Sequence, residues 1–128
     1  MSYLSVYLVE YTGGQRNHHS IFVKNAQDDA GTLFHVTGDI QRGCTLEIRP
    51  TRKSPRLSAT FEAWSQIGVI AANDMPRVQA ICEANPPPEK QFNGPKRINP
   101  RKPLRRCQEW TRETIDMLRE QGVLLDSN

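Results

Sequence analysis

The sequence lacks a hydrophobic run of the length that a membrane span needs. A membrane-spanning helix takes roughly 20 consecutive apolar residues, and no stretch of this 128-residue chain approaches that length. The first residues also lack the basic segment and the cleavage site of a signal peptide. Instead, residues 3–11 have the β-branched and aromatic composition of a strand. These absences predict a cytoplasmic protein with no membrane span.

Cysteine is scarce, and its spacing excludes two common uses. The chain has three cysteines, Cys44, Cys82 and Cys107. An odd number without a signal peptide argues against a disulfide scaffold. No two of them have the Cys-x-x-Cys spacing that is typical of structural zinc sites. We therefore predict no metal and no cofactor, although His18, His35 and Cys107 are residue types that bind zinc.

Aromatic residues are sparse in the most basic part of the chain, residues 86–106. This segment has seven Lys and Arg side chains against the single carboxylate of Glu89, whereas the net charge of the whole chain is only +3. Phe92 is its one aromatic residue, and no RNA-binding signature accompanies the charge. We interpret the charge as a solvated surface or a gate for an anionic substrate, not as a nucleic-acid interface. Residues 86–103, which are rich in proline, predict a long irregular loop.

The apolar pattern predicts strands first and helices late. Alternating and β-branched residues predict strands at 3–11, 18–24, 32–37 and 43–49, with one or two more within 58–71. A short helix is expected over residues 77–84, after a proline near its start. The strongest helical pattern covers residues 104–121, with Gly122 suited to its C-terminal cap. The order predicts a single α+β domain, residues 1–128, in which this last helix packs on an antiparallel sheet of five to six strands.

Cys107 lies at the start of the strongest predicted helix. The unpaired N–H groups and the macrodipole at a helix N-terminus favour an anion, so they lower the pKa of a thiol. Arg105 and Arg106 directly precede Cys107 and act in the same direction. A thiolate in this position is a nucleophile if an imidazole reaches it.

The histidines that are candidates for this role lie on two neighbouring predicted strands. If these strands pair through the turn over residues 25–31, His18 and His35 can face the same side of the sheet. The Cys107 end of the helix then completes a Cys–His–His arrangement. His19 is adjacent to His18 and points to the opposite face. The side chains predicted to contact the substrate are Arg105, Arg106, Trp110 and Ser20.

These motifs resemble those of the circularly permuted papain-like branch of the NlpC-type fold, which includes the lecithin:retinol acyltransferase-like enzymes. His18-His19-Ser20-Ile21-Phe22-Val23 is similar to the strand motif that carries the family's first histidine. Thr32-Leu33-Phe34-His35-Val36 is similar to the strand with the second, and Cys107-Gln108-Glu109-Trp110 to the start of the cysteine helix. The chain looks especially similar to small fungal proteins of this permuted type. The resemblance covers roughly residues 16–50 and 104–122.

The resemblance implies a role for each residue of the arrangement. Cys107 would be the nucleophile, His18 the base, and His35 the residue that orients the base. The implied activity is that of a thiol-dependent hydrolase or acyltransferase acting on an amide, ester or thioester of a small molecule or peptide. Arg106 stands where the family has Asn. Two alternatives stay open: an isomerase or cyclase of natural-product biosynthesis that uses the same Cys and His, and a binding module without activity.

Overall fold

The computed structural model describes residues 2–13 and 16–127. Its strands are β1 (Tyr3–Tyr11), β2 (His18–Lys24), β3 (Gly31–Asp39), β4 (Gly43–Thr51), β5 (Phe61–Ala71), β6 (Phe92–Asn93) and β7 (Lys96–Arg97). Its helices are α1 (Met75–Ala84) and α2 (Cys107–Glu120). Short 3-10 turns, Pro55–Leu57 and Ala72–Asp74, precede β5 and α1. No helix within the described residues is long and apolar enough to cross a membrane.

The five longer strands form one antiparallel sheet in the order β4-β3-β2-β1-β5. Consecutive hairpins place β1 to β4 side by side, and β5 pairs with the other edge of β1. This arrangement confirms the predicted α+β class with an antiparallel sheet and a C-terminal helix that carries Cys107.

The uncertain strand pattern of residues 58–71 corresponds to one strand, β5, with an irregularity at Gly68. The register of β5 against β1 shifts next to this residue, whose φ is +155°. Because Val69 pairs with Leu125 of the C-terminal segment, the chain passes close to Gly68, and an added Cβ would lie 2.3 Å from the Leu125 carbonyl oxygen. Glycine therefore interrupts the sequence pattern of the strand without ending it.

The sheet has apolar side chains on both faces, and α1 and α2 cover one of them. Alternation along β2 sends Ile21 and Val23 towards the helices and Phe22 to the opposite face. The core under the helices is formed by Val6, Ile21, Val23, Phe34, Val36, Ile70, Val78, Ile81, Cys82, Trp110, Ile115, Leu118, Val123 and Leu124. The opposite face has a smaller cluster of Val9, Phe22 and Leu33, against which Tyr7, Tyr11, Phe61 and Trp64 pack.

Trp110 anchors α2 to α1. Its side chain is fully buried, and its Nε1 donates a hydrogen bond of 2.9 Å to the carbonyl oxygen of Asn85, directly after α1. The Asn85 Nδ2 donates to the Thr114 Oγ1 at 3.0 Å. Arg105 Nη2 donates to the Glu113 Oε1 at 2.7 Å and to the Asn85 Oδ1 at 3.1 Å. These bonds hold the first turns of α2, and hence Cys107, in a fixed position.

The segment predicted as a wholly irregular loop, residues 86–103, contains a small hairpin formed by β6 and β7. Gly94, with a φ of +60°, begins the two-residue turn between them. A two-residue hairpin turn needs a positive φ, which glycine adopts without strain. Gly94 in the first central position of the turn, followed by Pro95, fits this requirement.

Truncation of Trp110 tests the anchor. Trp110→Ala leaves a large cavity and removes the bond to Asn85, so we expect it to lower the free energy of unfolding by about 3–5 kcal/mol. Trp64→Ala is the matched control, because Trp64 is only partly buried on the opposite face and should cost less. Urea denaturation followed by far-UV circular dichroism measures both, and equal losses would contradict the assignment of Trp110 as the anchor.

Candidate active site

β2 and β3 diverge at one end, and the candidate site lies in the gap. The two strands pair only from Ile21 opposite Phe34 to Lys24 opposite Gly31 within the described residues. The first residues of β2 continue to pair with β1, and the last residues of β3 with β4. Backbone groups and side chains at the gap are therefore available for contacts other than sheet pairing.

The first turn of α2 lies against the diverging end of β2. The backbone N–H of His19 lies near enough to the Cys107 sulfur to lower the pKa of its thiol, in the region where β3 has turned away. Gln108 Nε2 donates to the Asn17 carbonyl oxygen. On the helix itself, the Glu109 Oε1 accepts from the Arg106 N–H at 2.7 Å, which caps the first turn.

His18, His35 and Glu47 form a continuous chain of hydrogen bonds across the gap. The His18 Nε2 lies 2.8 Å from the His35 Nδ1, and the His35 Nε2 lies 2.6 Å from the Glu47 Oε1. Glu47 is directly opposite His35 in the β3–β4 register. The Glu47 side chain is 46% exposed, whereas that of His35 is only 10% exposed. The carboxylate thus stays in water while it orients a buried ring.

When His35 is neutral, the Glu47 carboxylate determines which ring nitrogens of His35 and His18 carry protons. An ionised carboxylate only accepts hydrogen bonds, so the His35 Nε2 must donate. A neutral His35 then has a bare Nδ1, which accepts from the Nε2–H of His18. A neutral His18 consequently has an unprotonated Nδ1. This is the tautomer that a base needs in order to take a proton from a donor on its other side.

His18 and Cys107 line the same pocket, which has a volume of about 300 Å³. The end of β3 and the turn after it form most of the wall, and Arg106 lies at the start of α2. The lining residues are His18, Val36, Thr37, Gly38, Asp39, Ile40, Cys44, Arg106 and Cys107. The structure therefore places the predicted base and nucleophile in one cavity, with His35 behind the base.

The Cys107 thiol is not acidified as the sequence had suggested. Burial raises its pKa above the usual value, and the nearby Glu109 carboxylate acts in the same direction. The His19 N–H and the Arg16 guanidinium lower the pKa but do not outweigh burial. The expectation that Arg105 and Arg106 acidify the thiol was wrong. Neither guanidinium contributes to the lowering of its pKa, and that of Arg105 is paired with Glu113. At neutral pH the sulfur is therefore a thiol.

The pKa of His18 is lowered from its usual value of 6.5 to about 4. Burial is the main cause, and the neighbouring His35 and His19 add to it. Desolvation disfavours the charged form of an imidazole, so His18 is neutral at physiological pH. The resting pair is thus a neutral thiol and a neutral imidazole.

The other predicted site residues are divided between the pocket and the core. Arg106 lines the pocket, whereas Arg105 ties α2 to Asn85 and Glu113. Trp110 is fully buried in the core, where no substrate reaches it, and Ser20 is fully buried as well. Of the four side chains expected to contact the substrate, only Arg106 is placed to do so.

Three residues near the site had not been singled out. Glu47 orients His35 and Arg16 lowers the pKa of Cys107. Tyr11 lies opposite His18 in the β1–β2 register, with ring centroids 6.1 Å apart. The position of Glu47 had a sequence signal: a tight hairpin that pairs Asp39 with Gly43 also pairs residue 35 with residue 47. Within residues 2–13 and 16–127, no three His, Cys, Asp or Glu side chains converge as a metal site requires.

Comparison with known proteins identifies a family but no activity. The model of a family of unknown function, DUF6540, matches residues 6–125. The match covers nearly the whole chain, which therefore belongs to this family. No curated protein and no solved structure matches the sequence.

The lowered pKa of His18 predicts a loss of stability in mild acid. The unfolded chain binds a proton at His18 near pH 6.5, and the folded protein does so only near pH 4. Stability should therefore fall as the pH drops through this window, by about 1–2 kcal/mol from His18 once solvent screening is allowed for. His18→Asn should flatten this part of the curve. Urea unfolding between pH 4 and 8 measures it, and parallel curves for the two proteins would refute the shift.

Proposed function

For this member of a family of unknown function, we propose a thiol-dependent hydrolase or acyltransferase activity, with Cys107 as nucleophile and His18 as base. The observation that carries the proposal is the hydrogen-bonded chain from Glu47 through His35 to His18, which ends at the pocket shared with Cys107. A nucleophile, a base and a group that orients the base are the elements of covalent acyl transfer.

Because the Cys107 thiol and the His18 imidazole are both neutral at rest, proton transfer between them accompanies the nucleophilic attack. The Cys107 sulfur attacks the carbonyl carbon of an ester, thioester or amide while its proton passes to the His18 Nδ1. A bond forms between sulfur and carbon, and the charge develops on the carbonyl oxygen. When the tetrahedral intermediate collapses, the bond to the leaving group breaks, and His18 returns the proton to that group. Water or a second substrate then takes the acyl group from the thioester, with His18 again as base.

The start of α2 suits the stabilisation of the developing oxyanion. Cys107 is the first residue of the helix, so its N–H belongs to the amides without a helical partner. Such an amide, at the positive end of the macrodipole, is a natural donor to an oxyanion. The N–H of Arg106 is not available for this role, since it donates to Glu109.

The proposed fold assignment is the circularly permuted papain-like type. In its support, histidines on two neighbouring strands precede the cysteine, and that cysteine begins the helix that packs on the antiparallel sheet. The partner of this chemistry is a small-molecule or peptide substrate.

A proton-transfer enzyme is the second candidate, and the charge state of the site favours it. A neutral thiol and a neutral imidazole in one small cavity can each exchange a proton with a bound substrate. An isomerase or cyclase of this kind forms no thioester on Cys107. The two candidates therefore differ in whether a covalent intermediate accumulates.

Acylation by an activated ester tests the proposal. p-Nitrophenyl acetate should acetylate Cys107 with a burst of p-nitrophenolate, and peptide mass spectrometry should locate the acetyl group. Loss of the base in His18→Gln should slow the burst by about 10²–10⁴-fold. Cys107→Ser should abolish it, whereas Cys44→Ser is the matched control because Cys44 lines the same pocket. Equal acetylation of Cys107 in the wild type and in His18→Gln would exclude His18 as the base.

Glu47 provides a separate test through its effect on the tautomer of His18. In Glu47→Gln the amide can donate to His35 and reverse the direction of both hydrogen bonds, which places the proton on the His18 Nδ1. We expect the burst rate to fall by about tenfold or more, as the wrong tautomer cannot accept the thiol proton. Glu47→Asp should retain more activity than Glu47→Gln if the charge orients the chain. A rate that is the same in all three proteins would show that Glu47 does not position the base.

A further inference from the structure

We propose that Arg106 binds a carboxylate of the substrate, so that the site acts on small acyl compounds that carry one negative charge close to the reacting carbonyl. The inference deepens the proposed function and rests on it. It specifies the substrate class by charge and size.

The two adjacent arginines have opposite surroundings. The Arg105 guanidinium is occupied by Glu113, Asn85 and the Pro86 carbonyl oxygen. Arg106 lines the pocket, and its guanidinium has no hydrogen bond or ion pair within the part of the chain that the structure describes. A guanidinium has up to five N–H donors in a planar fork that matches a carboxylate. Arg106 is thus the one of the two whose donors can turn to a ligand.

The other residues of the pocket wall limit the size of the ligand. Val36 and Ile40 supply an apolar surface, and a volume of about 300 Å³ lies at the lower end of ligand pockets. The cavity therefore suits a short acyl group better than a long chain. With Cys107 next to Arg106, the scissile carbonyl and the carboxylate of such a substrate are separated by only a few bonds.

Asp39 is the acidic residue of the same pocket and must be considered with Arg106. Its Oδ1 accepts from the N–H groups of Gln41 at 3.0 Å and Arg42 at 2.8 Å. These bonds hold the carboxylate in the turn after β3. The substrate anion is therefore expected at the Arg106 end of the pocket, away from Asp39.

Two alkylating agents of similar size, one anionic and one neutral, test the inference. Iodoacetate and iodoacetamide both form a thioether with Cys107 and release iodide, but only iodoacetate has a carboxylate. The measured quantity is the ratio of the two alkylation rates at Cys107, from peptide mass spectrometry, divided by the same ratio for the uncharged thiol 2-mercaptoethanol. We expect the wild-type protein to favour iodoacetate by about fivefold to tenfold, the size of a partly exposed charged hydrogen bond.

Variants at position 106 and on the outer face of α2 complete the experiment. Arg106→Gln should bring the normalised ratio to about one, and Arg106→Lys should retain part of the preference because it keeps the charge. Arg112→Gln removes an exposed arginine of the same helix and should leave the ratio unchanged. A normalised ratio of one in the wild type, or a preference that survives Arg106→Gln, would overturn the inference.

Failure of the anionic substrate class can be distinguished from failure of the acyl-transfer function. If p-nitrophenyl acetate acylates Cys107 through His18 but iodoacetate has no advantage, only the anionic substrate class is excluded. If iodoacetate has the advantage but no acyl-enzyme forms, Arg106 is an anion ligand and the acyl-transfer function is wrong, which also removes the substrate class proposed here.

Discussion

The separation of β2 from β3 beyond Ile21 and Phe34 is the constraint on which the rest of the site depends. Strands that remained paired to their ends would satisfy each other's N–H and C=O groups. Where they part, the His19 N–H lies near the Cys107 sulfur and lowers the pKa of the thiol. The 2.8 Å bond between His18 and His35 spans the gap. The first turn of α2 has room to approach only because the sheet opens there.

The gap also accounts for the electrostatics of the site. The thiol of Cys107 and the ring of His18 are both largely buried there, and burial opposes charge on each group. It therefore raises the pKa of Cys107 and lowers the pKa of His18. The Glu47 carboxylate lies at the exposed end of the hydrogen-bonded chain, where hydration stabilises its charge. An orienting carboxylate in water and a neutral pair in the cavity are thus consequences of the same geometry.

The two arginines before Cys107 show how neighbours in the chain acquire different surroundings. Arg105 is tied to Asn85 and Glu113, so that it fastens the end of α1 to α2 and stabilises the position of the thiol. Arg106, one residue later, lines the pocket instead. The Trp110 anchor makes this division possible, because it fixes the rotation of α2 about its axis and so decides which side chains face the cavity.

The sequence by itself determined the order and type of the five long strands and the two helices, and it placed β1 and β2 at the bounds that the structure has. It also singled out Cys107, His18 and His35, because strand alternation and a helix start are local properties of the chain. The tertiary structure alone decided the pKa directions, the burial of Trp110 and the different surroundings of Arg105 and Arg106. For Glu47, the position opposite His35 follows from the hairpin register and so from the sequence. Its hydrogen bond to His35 was decided by the tertiary structure. Burial and ion pairing arise between segments far apart in sequence, so local patterns do not contain them.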